Sequence, residues 1–102
     1  MRLLLISNST NFGESYLAWA VNQIEFFCLQ NHLDRNSKIV FVPFAGVNIA
    51  GKAYPESYDA YEARVKAVFE QKFGMSDFTS VHRFSDPVKA VNEADCIIVG
   101  GG

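Results

Sequence analysis

The segment Asp95-Cys96-Ile97-Ile98-Val99-Gly100-Gly101-Gly102 constrains the fold more than any other. Apolar residues at every position from Cys96 to Val99, followed at once by glycines, read as a buried strand that ends in a tight turn. In an open α/β sheet such a turn lies at the carboxyl end of the strand, on the edge where ligands bind. A helix is the usual continuation, and residues 1–102 do not include one after the glycines. The chain therefore reads as the first half of such a domain.

The preceding segments fit the same plan. Leu3-Leu4-Leu5-Ile6 is a continuous apolar strand, and Ser7 to Gly13 is the loop after it. From Glu14 to about Asn31, Leu17, Ala20, Val21, Ile24, Phe27 and Cys28 recur at helical spacing. Asp34-Arg35-Asn36-Ser37 is a turn, Lys38 to Val42 a second strand, and Pro43-Phe44-Ala45-Gly46 its end, with Phe44 expected in the core. After a loop from Val47 to Pro55, a helix runs from about Glu56 to Lys72. Its apolar face is Tyr58, Tyr61, Val65, Val68 and Phe69, with Glu62, Lys66 and Glu70 facing water and Gly74 as its stop. Phe78 to Phe84 forms a short third strand. Ser85 or Asp86 caps a helix from Val88 to Ala94, with Pro87 in its first turn, and Cys96 to Val99 is the fourth strand. The order β-α-β-α-β-α-β with short connections predicts an α/β fold. Its parallel sheet carries helices on both faces, as a single partial domain over residues 1–102.

Composition excludes several functions. The chain is 49% hydrophobic and 20% charged, with a formal charge of −2. No basic patch stands out, so nucleic acid is not an expected partner. No apolar run is long enough for a bilayer span, and the core of Met1 to Ile6 is too short for a signal peptide, so a cytoplasmic location is expected. Cys28, Cys96, His32 and His82 share no ligand spacing, so neither a metal site nor a disulfide is expected, and no cofactor. Both cysteines read as small core residues, and Phe26, Phe27, Phe69 and Phe73 as core aromatics.

Four segments fall at the carboxyl ends of the strands: Ser7 to Gly13, Pro43 to Ala50, Arg83 to Asp86, and Gly100 to Gly102. Glycine amides can approach a phosphate or an acyl-transfer oxyanion closely, or simply form a turn that only glycine fits. The hydroxyls and amides of Ser7, Asn8, Ser9 and Thr10 could hold a phosphate, much as a flavodoxin-type loop does, although capping and turn bonds are their commoner use. Neither segment is a dinucleotide or phosphate-loop fingerprint. A triad of Ser7 or Ser9 with His82 and Asp86 is conceivable, but nothing in the spacing enforces it. His82 reads better as a surface residue beside a helix cap.

Four blocks in order carry a resemblance. They are Leu3-Leu4-Leu5-Ile6-Ser7-Asn8-Ser9-Thr10, Val42-Pro43-Phe44-Ala45-Gly46-Val47, His82-Arg83-Phe84-Ser85-Asp86-Pro87, and Ala94 through Gly102. Together they resemble the N-terminal half of the peptidase E (α-aspartyl dipeptidase) family. The resemblance implies the first half of a three-layer domain like that of class I glutamine amidotransferases. It implies a cytoplasmic serine peptidase acting on dipeptides with an N-terminal aspartate. It also implies that Gly100, Gly101 or Gly102, with Gly101 favoured, gives an oxyanion-hole amide. The family's nucleophile, histidine and acidic partner lie beyond the glycines, so the 102-residue chain by itself is expected to be inactive. A fourth strand without its neighbours exposes an apolar edge, which implies a second chain, self-association or the rest of a longer protein. The alternative is a non-catalytic, flavodoxin-like half-domain that binds an anion or a partner.

Overall fold

A computed structural model describes Leu4, Gly13, Ser15 and residues 17–45 and 56–101. Three strands, β1 (Ile39–Val42), β2 (Phe78–Ser80) and β3 (Cys96–Val99), form a parallel sheet in the order β2-β1-β3. Ile39 lies opposite Phe78 and Cys96, and Phe41 opposite Ser80 and Ile98. β1 is the central strand, and Ile39, Val40 and Phe41 are buried whichever face they point to. That is why its sequence is apolar without alternation. The expected strand at Leu3 to Ile6 and the loops Ser7 to Gly13 and Val47 to Pro55 lie outside the described residues, apart from Leu4 and Gly13. Leu4 packs against the core.

Three helices connect and cover the strands. A single 3₁₀ turn at Ala18–Ala20 leads into α1 (Val21–Gln30), which thus starts later than Glu14. Leu17 sits in the left-handed region at φ 60° and interrupts regular helix there. At the other end His32 adopts φ 58°. There the Leu33 amide reaches the Cys28 carbonyl at 2.9 Å and the His32 amide the Leu29 carbonyl at 3.3 Å, a Schellman closure.

The second helix, α2 (Glu56–Phe73), carries Glu56 and Asp59 in its first turn and Lys72 in its last, charges that complement the helix dipole. Gly74, at φ 68°, lets the Gly74 and Met75 amides turn back to the carbonyls of Glu70 and Phe69. α3 (Pro87–Glu93) starts at Asp86, whose carboxylate accepts the Lys89 amide at 3.1 Å. The expected cap, first-turn proline and glycine stop are all present.

The main core joins α1, α2 and one face of the sheet: Ile24 and Cys28, Tyr61, Val65 and Phe69, Ile39, Phe41 and Phe78. Val40 points to the other face by strand alternation and is also buried, as are Val81 and Ala90 outside that cluster.

Several expectations fail in informative ways. β2 ends at Ser80, and the chain turns through a 3₁₀ segment, Val81–Arg83, instead of continuing to Phe84. The ladder stops because the Ser80 amide donates to the Glu62 carboxylate. Glu62 itself faces the protein: it is 8% exposed. Phe26 is 62% exposed, because the buried positions of α1 are Ile24 and Cys28 and a residue midway between them faces away. Phe44 is 52% exposed and rests edge-on against Tyr58, with ring centroids 5.5 Å apart.

Candidate functional site

The carboxyl edge of the sheet is assembled by side chains of α2. Two neighbours in that helix, Tyr61 and Glu62, reach the ends of the two outer strands. Tyr61 packs its ring against Phe41 of the central strand, edge to face at 4.9 Å, and donates its hydroxyl to the Gly101 carbonyl at 2.9 Å. Glu62 accepts from the Ser80 amide with one oxygen and from Arg83 Nε with the other at 2.8 Å.

The glycine turn after β3 divides into two unlike positions. Gly100 is buried, and its amide donates to the Val42 carbonyl at 2.9 Å, extending the β1–β3 ladder past Val99. A Cβ on Gly100 would stand 2.5 to 2.7 Å from the Tyr61 hydroxyl and ring. Only glycine fits there, and its amide is already used. Gly101 is exposed, with nothing within 4 Å of where its Cβ would be. Among the described residues its amide has no acceptor. Gly102 lies outside the described residues.

At the end of β2, Asp59, Glu62, Ser80, His82 and Arg83 form one hydrogen-bonded network. The Asp59 carboxylate accepts from His82 Nε2 at 2.8 Å and from the Arg83 guanidinium at 3.0 Å. With Nε2 protonated toward Asp59, a neutral ring leaves His82 Nδ1 as acceptor for the Ser80 hydroxyl. The His82 hydrogen bond, and then the Arg83 charge, hold the Asp59 carboxyl below its ordinary pKa.

Ser80, His82 and Asp59 thus have the connectivity of a nucleophilic triad, but the burial runs the wrong way. Ser80 is 0% exposed and Asp59 has 47% of its side chain in solvent, so no substrate carbonyl reaches the hydroxyl. The network braces the fold. The acid beside His82 is Asp59 of α2, while Asp86 serves as the α3 cap. Ser7 and Ser9 lie outside the described residues.

Tyr61, Glu62 and Asp59 did not stand out in the sequence as edge residues. One signal was available: Glu62 lies within the stripe Tyr58, Tyr61, Val65, Phe69, and a carboxylate inside an apolar stripe needs buried partners. The cysteines are free, with Cys28 buried and Cys96 partly so. Burial raises the pKa of both thiols, that of Cys96 to about 11, which makes them poor nucleophiles and poor metal ligands. No group of side chains suited to a metal ion occurs among the described residues, and no helix there is long and apolar enough to cross a membrane.

Comparison with known proteins gives this architecture a family. The model of peptidase family S51 matches residues 3–102. Curated relatives named Peptidase E include one from Nostoc sp., 37% identical over 101 residues, which are 99% of this chain and 36% of that protein. Those of Citrobacter koseri and Salmonella newport are 39% and 37% identical over 102 residues, all of this chain and 38% of theirs. The chain belongs to peptidase family S51, a family of hydrolases. It spans well under half the length of these relatives.

Proposed function

We propose that this chain is the N-terminal portion of a serine-type dipeptidase that hydrolyses dipeptides with an N-terminal aspartate. The observation that carries the reading is the family match across nearly the whole chain, together with relatives named Peptidase E. Within that reaction the described residues supply scaffold and an oxyanion-binding turn. A tetrahedral intermediate places negative charge on the former carbonyl oxygen, and fixed backbone amides stabilise that charge best where water is excluded. The Gly100 amide is committed to Val42, so the donor falls to Gly101 or Gly102. Gly101, exposed and with nothing within 4 Å of where its Cβ would be, is the candidate among the described residues.

The nucleophile is not assigned to this chain. Its one Ser-His-Asp array among the described residues is closed to substrate. The 102-residue chain alone is therefore inactive on this reading, and cytoplasmic action on small peptides follows from the family resemblance. On β3, Ile97 and Val99 are 45% and 72% exposed. Such a face supports a further part of the same domain, or a second chain, lying against it. The test is hydrolysis of Asp-Leu and of aspartyl p-nitroanilide by the full-length protein and by the 102-residue chain. Turnover by the first alone is expected. Turnover by the purified 102-residue chain would overturn the assignment, and none by the full-length protein would overturn the dipeptidase reading.

A further inference from the structure

We propose that Tyr61 is the positioning residue of the glycine turn: by holding the Gly101 carbonyl, its hydroxyl fixes the direction in which the Gly101 amide faces substrate. The inference rests on the dipeptidase reading for its consequence in catalysis, but its geometry stands apart from it.

Two consecutive glycines are the most mobile backbone a turn can have. An amide that is to stabilise an oxyanion must nevertheless be held before the charge develops. Here the peptide bearing the Gly101 amide lies between two anchors. On one side, the Gly100 amide is bonded to the Val42 carbonyl at 2.9 Å. On the other, the Gly101 carbonyl accepts the Tyr61 hydroxyl at 2.9 Å. Between them the Gly100 Cα lies so close to the Tyr61 ring that a Cβ there would sit 2.6 Å from the ring carbon bearing the hydroxyl. Both ends of the unit are thus pinned, and the exposed amide between them inherits its direction.

Tyr61 can serve as an anchor because it is itself fixed. Its side chain is buried, edge-on to Phe41 of the central strand. The next residue, Glu62, ties the same helix turn to Ser80 and Arg83 at the end of β2. One turn of α2 therefore spans the carboxyl edge, from β2 across β1 to the glycine turn. A tyrosine used only to fill the core would not need an acceptor on the turn, and phenylalanine would serve as well.

The experiment compares the full-length protein with its Tyr61→Phe variant, using aspartyl p-nitroanilide as substrate. Loss of the hydroxyl should lower kcat about tenfold, a fraction of the loss that follows removal of an oxyanion donor itself, and leave KM within about twofold. Val65→Ala, which weakens the same helix without touching the turn, should leave kcat within about twofold. Equal losses in the two variants, or an unchanged kcat in Tyr61→Phe, would overturn the proposal. If the wild type does not turn the substrate over, the dipeptidase reading falls, and backbone NMR of the full-length protein decides the matter for Tyr61. Tyr61→Phe should then shift the Gly101 carbonyl carbon and increase motion of the Gly101 amide. Unchanged signals would overturn the proposal.

Discussion

The two edges of the sheet are built by different means. At the amino edge the chain closes on itself through short turns. The Asp34 amide donates to Ser37 Oγ at 2.9 Å, the Asn36 amide to the Asp34 carboxylate at 2.8 Å, and His32 and Gly74 end their helices with left-handed residues. Among the side chains described there, Asp95 makes the long reach, accepting the Lys38 amide at 2.8 Å, beside backbone bonds such as that from the Ile39 amide to the Asp77 carbonyl at 2.8 Å. The carboxyl edge depends on side chains that cross from α2: Asp59 and Glu62 to residues about twenty positions later, and Tyr61 to Gly101, forty positions away. An edge made of local turns forms almost whatever lies around it, whereas an edge made of long-range polar contacts exists only when the tertiary fold brings them together. The second kind can place an amide at a chosen point, and that is the edge where α/β proteins bind ligands.

Substitutions should separate the edges by size of effect. The largest loss is expected for Glu62→Ala, which strips a buried carboxylate from the Ser80 amide and from Arg83. A cost of about 2 to 3 kcal/mol is expected from the urea-unfolding midpoint, allowing for the partial exposure of Arg83. A change below about 0.5 kcal/mol would mean that the brace is ornamental. Gly100→Ala should come next, at about 1 to 2 kcal/mol, because the new methyl must displace the buried Tyr61 ring. In a Tyr61→Leu background that cost should shrink, and full additivity of the two changes would show that they do not touch.

At the amino edge, His32→Gly should stabilise the protein by about 1 kcal/mol, since glycine adopts the φ of 58° without the Cβ penalty. Destabilisation would mean that the His32 side chain has a role at that edge. The last effect, absent at neutral pH, is that of alkaline pH on the buried thiols. A folded pKa of about 11 for Cys96, above its ordinary 9.0, favours the neutral thiol in the folded state. Its contribution to stability is thus complete below pH 9 and declines as pH rises from 9 through 11. Cys96→Ala should flatten that part of the stability profile.

The same contrast explains what was legible in the sequence. The fourth apolar run matches β3 residue for residue, and Lys38 to Val42 overlaps β1 at all but its first residue. The Asp86-Pro87 start of α3 and the Gly74 stop were equally plain, because caps and stops act over a few residues. Where the reading failed at the carboxyl edge, a distant partner had intervened. The end of β2 is set by Glu62, and His82 left the surface for Asp59 and Ser80. Tyr61 looked like one more core aromatic because its hydroxyl's acceptor lies forty residues on. Of the candidate site, the glycines were visible as a turn. Which of them is structural became clear only from the Tyr61 ring against Gly100 and the bond from its amide to Val42.

The division between Gly100 and Gly101 is the centre of the functional reading, and Gly101→Ala in the full-length protein tests it most directly. With nothing within 4 Å of the added methyl and no left-handed φ at that position, the fold should tolerate the change. The thermal midpoint should stay within about 2 °C of wild type. A methyl on the turn that receives the substrate carbonyl would crowd its approach, so kcat/KM for aspartyl p-nitroanilide should fall by about tenfold or more. Undiminished turnover with an intact fold would contradict the placement of the substrate carbonyl against Gly101.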